Sequence, residues 1–230
     1  MHMNERVIGS IAAAALLAAC GGAAPAGDDG GIVIAPDTGA ASNCANHIPV
    51  GGVGGDPDYG TTVGRSFREF STPLQDCNGG SHTFYDATYC DAGTTYTVIS
   101  IAAGWCHPCQ MESDLLTANV VQAYGPHGVR VVQLLVQDPS YQVPNGSFCN
   151  TWVTTHGLSV TPTLMGSHYD LTTGNVELID PMQISNIYFP DGSLPSTLII
   201  DNHGVIRFHE DGASESLASL TSELDSLLGL

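Results

Sequence analysis

The chain has 230 residues, enough for one domain with appendages or two small domains, and its 43% apolar content suffices for one core. Lys and Arg together number 5, all of them Arg, against 23 Asp and Glu, for a formal net charge of −18. Nucleic-acid binding, which needs cations to neutralise phosphates, is excluded, and contact with an anionic membrane would have to be covalent or hydrophobic.

Met1 to Ala19 read as a targeting segment, with an apolar run from Val7 to Leu17 too short to serve as a stable membrane span. Leu17-Ala18-Ala19-Cys20-Gly21 follows, and this resembles the bacterial lipobox. The resemblance implies that residues 1–19 are a lipoprotein signal peptide and that Cys20 becomes the lipidated N-terminus. It further implies an exported protein facing the periplasm or the exterior. Gly21 beside Cys20 favours the outer membrane if the cell has two. Residues 20–64 are rich in Gly, Ala, Pro and Asp, as expected of a flexible tether; Cys44 is their one chemically notable side chain. The folded domain is expected over residues 65–230.

Within that domain, Phe67-Arg68-Glu69-Phe70 and His82-Thr83-Phe84-Tyr85 bracket a turn-rich centre at Asp76 to Gly80, which predicts a hairpin. Thr97 to Ala103 is a short, nearly all-apolar buried strand. It runs into Trp105-Cys106-His107-Pro108-Cys109 and then a helix over Met111 to Tyr124, with Met111, Leu115, Ala118, Val121 and Tyr124 as its apolar stripe. Gly125-Pro126 ends that helix. A second strand spans Val129 to Val136, and a short helix Phe148 to His156.

A Cys-x-x-Cys where a strand hands over to a helix suits a reversible dithiol/disulfide pair. The first sulfur then lies among unpaired helix N–H groups that favour a thiolate, and the second can resolve a mixed disulfide. Imidazole at His107 would favour the Cys106 thiolate further when protonated. The competing use of the two cysteines, zinc ligation, needs a second ligand pair. Only His203 and His209 offer zinc-like spacing, far downstream, so no metal site is expected.

Trp-Cys-x-Pro-Cys after an apolar strand resembles the thioredoxin superfamily, and an N-terminal hairpin resembles its TlpA/redoxin branch. The resemblance implies an α/β, thioredoxin-like fold: a central mixed β-sheet flanked by helices, with an N-terminal hairpin extension and an insertion before a strand that opens with a cis-proline. Two sites offer that proline, Pro162 and Pro195. Leu194-Pro195 is followed by a strand, a turn and a strand through Phe208, then an amphipathic helix from Ser214 to Leu228; this order is the family's, so Pro195 is preferred. Pro162 then falls in an insertion from Ser159 to Pro190. Ser100 stands six residues before Cys106, where many members carry a buried carboxylate that manages the second sulfur's proton. Serine is no base at neutral pH, so water or a neighbour must do that work, or the resolving step is slow.

What the resemblance implies for function is a membrane-tethered thiol–disulfide oxidoreductase acting on protein disulfides, more as reductant than oxidant. Cys106 would be the nucleophile and Cys109 the resolving thiol, with Trp105, His107, Pro108, Leu194 and Pro195 on the substrate side. Its partners would be protein thiols or disulfides and an upstream electron donor. No cofactor is expected beyond the redox disulfide itself. A copper chaperone of the Sco kind and a thiol peroxidase share the fold. The first carries three residues between its cysteines, and the second a Pro and a Thr or Ser where Ile99 and Ala103 stand here. The other cysteines, Cys44, Cys77, Cys90 and Cys149, are candidates for two structural disulfides. Cys77–Cys90 would close a local loop and is the preferred pairing, leaving Cys44–Cys149.

Overall fold

The computed structural model describes residues 60–67, 74–82, 93–165, 193–212 and 216–230. The targeting segment, Cys20, Cys44, Cys90 and most of the expected insertion lie outside the described residues. Strands β3 (Tyr96–Ala103) and β4 (Val129–Gln137) are nearly continuous apolar runs, buried along almost their whole length. Runs of that kind belong at the centre of a sheet covered on both faces, and they pair in parallel there.

The other strands are β1 (Leu74–Asp76), β2 (Ser81–His82), β5 (Thr163–Met165), β6 (Ser196–Asp201) and β7 (Ile206–Asp211). They complete a seven-stranded mixed sheet in the order β2-β1-β5-β4-β3-β6-β7. Three helices, α1 (His107–Leu116), α2 (Gly146–Thr155) and α3 (Ala218–Leu228), pack against it. The connections β3–α1–β4 and β4–α2–β5 step the same way across the sheet, so right-handed crossovers put both helices on one face. Gln133 of β4 accordingly bonds to Ser113 of α1 and to Trp152 of α2. The end of the first helical segment meets α3 through Tyr124, whose hydroxyl donates to the Asp225 carboxylate at 2.8 Å.

Three expectations are corrected. The hairpin turns at Asp76 to Gly80, but its strands flank that turn directly. Phe67 lies at the opposite edge of the sheet, donating its N–H to Gly204 beside the β6–β7 turn, while Ser66 bridges Val205. Pro162 does not belong to an insertion. The residues that follow it form β5, because Thr163-Leu164-Met165 is apolar enough to extend the parallel core beside β4. Finally, the helix after Cys109 buries Glu112, Ser113, Leu116 and Val120 most deeply; of the expected stripe Tyr124 is buried and Leu115 and Val121 pack against the core, while Met111 and Ala118 are exposed. Two polar residues hold the inner face there, so the apolar periodicity pointed aside. That helix also passes through a π turn, Thr117–Val121, in which Gln122 N–H reaches back to the Thr117 carbonyl.

Candidate active site

Gly104 makes the entry to the site. A Cβ there would stand 2.6 Å from the Phe148 ring and 2.7 Å from Pro139, so only glycine lets β3 hand over to the next residues at this point. Trp105 follows and is fixed from both ends. Its indole N–H donates to Gln137 Oε1 at 2.8 Å, and its ring stacks on Tyr141 with centroids 5.2 Å apart.

Cys106 is the N-cap of α1, with extended backbone angles, and its sulfur accepts the Cys109 N–H at 3.2 Å. One of the helix's four orphan donors is thereby aimed at sulfur. Pro108 in the first turn forfeits no helix bond. Cys106 and Cys109 are joined as a disulfide with Cα atoms 5.3 Å apart. Cys106 keeps 3% exposure whereas Cys109 has 0%, and His107 between them is exposed.

Leu194–Pro195 is a cis peptide, and both residues are buried. Ser196 pairs with Ile101, so Pro195 stands beside the C-terminal end of β3, from which Gly104 to Cys106 emerge. Thr161–Pro162 is not cis. Trp105, Cys106, His107, Pro108, Cys109, Leu194 and Pro195, the residues expected around the redox pair, therefore gather at one end of β3 and β6.

Beneath the cysteines lies a carboxyl that the motif and the expected apolar stripe both pass over. Glu112 is 2% exposed and accepts from Ser100 Oγ at 2.7 Å and from Thr197 Oγ1 at 2.8 Å, both onto the same oxygen, Oε1. Burial pushes its pKa up from the ordinary glutamate value; the two hydroxyls oppose that rise and the charge of Glu210 adds to it. A signal for it exists in the sequence: Glu112 follows Cys109 by three residues, a spacing that puts both on one helix face. Ser100, six residues before Cys106, thus donates to a buried carboxyl rather than standing alone.

The cysteine pairing is corrected as well. Cys77 bonds to Cys149, with Cα atoms 5.1 Å apart, which excludes both Cys77–Cys90 and Cys44–Cys149. The hairpin turn lies on the start of α2, where Asn150 Nδ2 donates to the Cys77 carbonyl and Gly146 closes on the same oxygen. A preference for the shorter loop cannot see that contact, which is distant in sequence. His203 is exposed, and His209 is half-buried with its Nδ1 2.7 Å from the Thr61 carbonyl. Among the described residues no three His, Cys, Asp or Glu side chains assemble as a metal site.

No family model matches the chain, and no curated protein matches it. Solved structures do. One from Bacteroides thetaiotaomicron, described as a candidate protein disulfide isomerase, has a TM-score of 0.53 at 14% identity, covering 76% of this chain and 94% of its own. A hypothetical protein from Sinorhizobium meliloti 1021 has a TM-score of 0.51 at 16% identity, covering 75% of this chain and 87% of its own. With a Cys-x-x-Cys opening the helix after a central strand, a cis-proline opening the strand beside it, and this mixed sheet between helices, the chain has a thioredoxin-like fold.

Proposed function

We propose that the protein is a thiol–disulfide oxidoreductase that reduces protein disulfides through Cys106 and Cys109, tethered outside the cytoplasm by lipid on Cys20. The observation that carries this reading is the Cys106–Cys109 disulfide at the N-terminus of α1, its first sulfur capping the helix and a buried carboxyl one turn beyond its second. The similar Bacteroides thetaiotaomicron structure, described as a candidate protein disulfide isomerase, supports it.

In the reduced protein the Cys106 thiolate, favoured by the helix N–H groups, attacks one sulfur of a substrate disulfide. A Cys106–substrate bond forms and the other substrate sulfur leaves as thiolate. Cys109 gives up its proton, with Glu112 as the acceptor, and attacks the Cys106 sulfur. The Cys106–Cys109 disulfide closes and the second substrate thiolate departs. Two electrons have passed to the substrate, and an upstream dithiol returns them. A carboxyl whose pKa is raised by burial suits this exchange, since its proton affinity moves toward that of a thiol.

Insulin reduction with dithiothreitol as donor tests the reading. The protein should accelerate insulin precipitation, Cys106→Ser should abolish the effect, and Cys109→Ser should accumulate a mixed disulfide through Cys106. No acceleration over dithiothreitol alone, or trapping by Cys106→Ser instead, would overturn it.

A further inference from the structure

Four side chains stand directly across four neighbouring strands beneath α1. Gln133 of β4 pairs in register with Ser100 of β3, Ser100 with Thr197 of β6, and Thr197 with Glu210 of β7. Glu112 lies over the middle of this row, bonded to Ser100 and Thr197. Gln133, Ser100 and Ser113 are fully buried, and Trp152 is 3% exposed.

The polarity of this row follows from one group. The Trp152 indole can only donate, and its Nε1 lies 2.7 Å from Gln133 Oε1. That contact fixes the Gln133 amide with its oxygen toward α2 and its NH₂ toward Ser113 Oγ, 2.7 Å, and Ser100 Oγ, 3.3 Å. Ser100 Oγ, already accepting from Gln133, turns its own hydrogen to Glu112 Oε1. With Thr197 donating to the same oxygen, Oε1 is the acceptor in both protonation states and the exchangeable proton belongs on Oε2.

We propose that Trp152 and Gln133 are positioning residues that act through Ser100, orienting its hydroxyl toward Glu112 and so setting that carboxyl's proton affinity. The inference deepens the function proposed above and rests on it for its purpose, since Glu112 takes the Cys109 proton there. Without the indole donor the Gln133 amide is free to flip, its oxygen then accepts from Ser100, and Glu112 loses one of its two donors. The charged group that acts on Glu112 is Glu210 on β7, and its hydrogen-bonding neighbours on β3 and β6 are Ser100 and Thr197, with Gln133 of β4 behind Ser100; Cys106 and Cys109 on its own helix are joined as a disulfide and carry no proton in the oxidised protein. His156 touches Trp152 from the far side, with ring centroids 4.3 Å apart.

The test is a carbon-13 NMR titration of the Glu112 carboxyl in the oxidised protein, with glutamate labelled at Cδ and the resonance assigned by Glu112→Gln. Trp152→Phe, which keeps a ring but removes the donor, should raise the Glu112 midpoint by about one pH unit, a tenfold gain in proton affinity, the scale of one hydrogen bond to a charged group. Ser100→Ala should raise it similarly, and Trp152→Phe added to Ser100→Ala should move it no further. Trp152→Met, which also lacks the donor, provides the same cycle should Trp152→Phe not fold. An unmoved midpoint in Trp152→Phe, or an equal shift in the Ser100→Ala background, overturns the proposal. The titration reads the carboxyl without turnover, so its outcome stands apart from insulin reduction, which tests the activity itself.

Discussion

A carboxyl held between two hydroxyls under a helix binds its proton more tightly in the folded chain than in the unfolded one when burial outweighs those bonds, and Glu112 is in that position. Its contribution to stability is therefore fully present below the ordinary glutamate pKa and is lost as pH rises through the raised folded value. Glu112→Gln cannot ionise and should lack that decline. Urea unfolding of the oxidised protein at a series of pH values should give a variant-minus-parent stability that grows across this window and then levels off; a constant difference would count against a raised pKa. The same variant should slow resolution of a mixed disulfide by about a hundredfold, the usual scale for losing a general base. Tyr141 offers a second test beside the cysteines. It is 63% exposed, stacks on Trp105 and adopts φ 62°, a left-handed backbone angle that glycine holds without strain. Tyr141→Gly should consequently leave stability nearly unchanged while removing half of an aromatic shelf next to Cys106. A KM for insulin raised about fivefold with kcat little altered is expected, in line with the worth of one aromatic contact; unchanged KM would show that substrates do not use the shelf.

Helices and strands are legible in the sequence where their own pattern decides them, and obscure where a partner distant in sequence does. β3 and β4 are apolar along most of their length, and the structure extends the expected bounds by one residue at most at each end. The stripe of the helix after Cys109 is misleading because Glu112 and Ser113 face inward to meet Ser100, Thr197 and Gln133, whose register across the sheet no local pattern encodes. β5 hides in an apparent insertion because three residues carry too short a period to count as a strand. The redox motif needs no such help: its spacing and its strand-to-helix setting are local. The Cys77–Cys149 bond belongs with the obscure features, since it ties the β1–β2 hairpin to α2 across a separation of 72 residues. In the chain-entropy account, a closure of that length stabilises by about 4 kcal/mol. A Cys77→Ala/Cys149→Ala double variant should lose about 2–4 kcal/mol in denaturant unfolding and still fold around the central sheet. Loss below about 0.5 kcal/mol would mean that the hairpin holds its place without the bond.

For the molecule as a whole, charge and cysteine usage set what surrounds the domain. A net charge of −18 with no lysine repels anionic lipid, and among the described residues no helix is long and apolar enough to cross a membrane. On the proposed reading attachment runs through lipid on Cys20, so Cys20→Ser should move the protein from the membrane fraction to the soluble one; retention on membranes would count against that reading. The proposed export also bears on the remaining thiols. Four cysteines outside the redox pair and the lipid site allow three connectivities, and the Cys77–Cys149 bond leaves only the one that joins Cys44 to Cys90. In the oxidising compartment that the proposed function implies, two free cysteines would not persist, so a Cys44–Cys90 bond is expected. Peptide mapping of the unreduced protein should recover Cys44 and Cys90 in one cross-linked fragment. It should remain linked under the mild reduction that opens Cys106–Cys109, because the proposed function requires exchange of that pair and not of this one. Alkylation of either Cys44 or Cys90 before any reduction would refute the pairing.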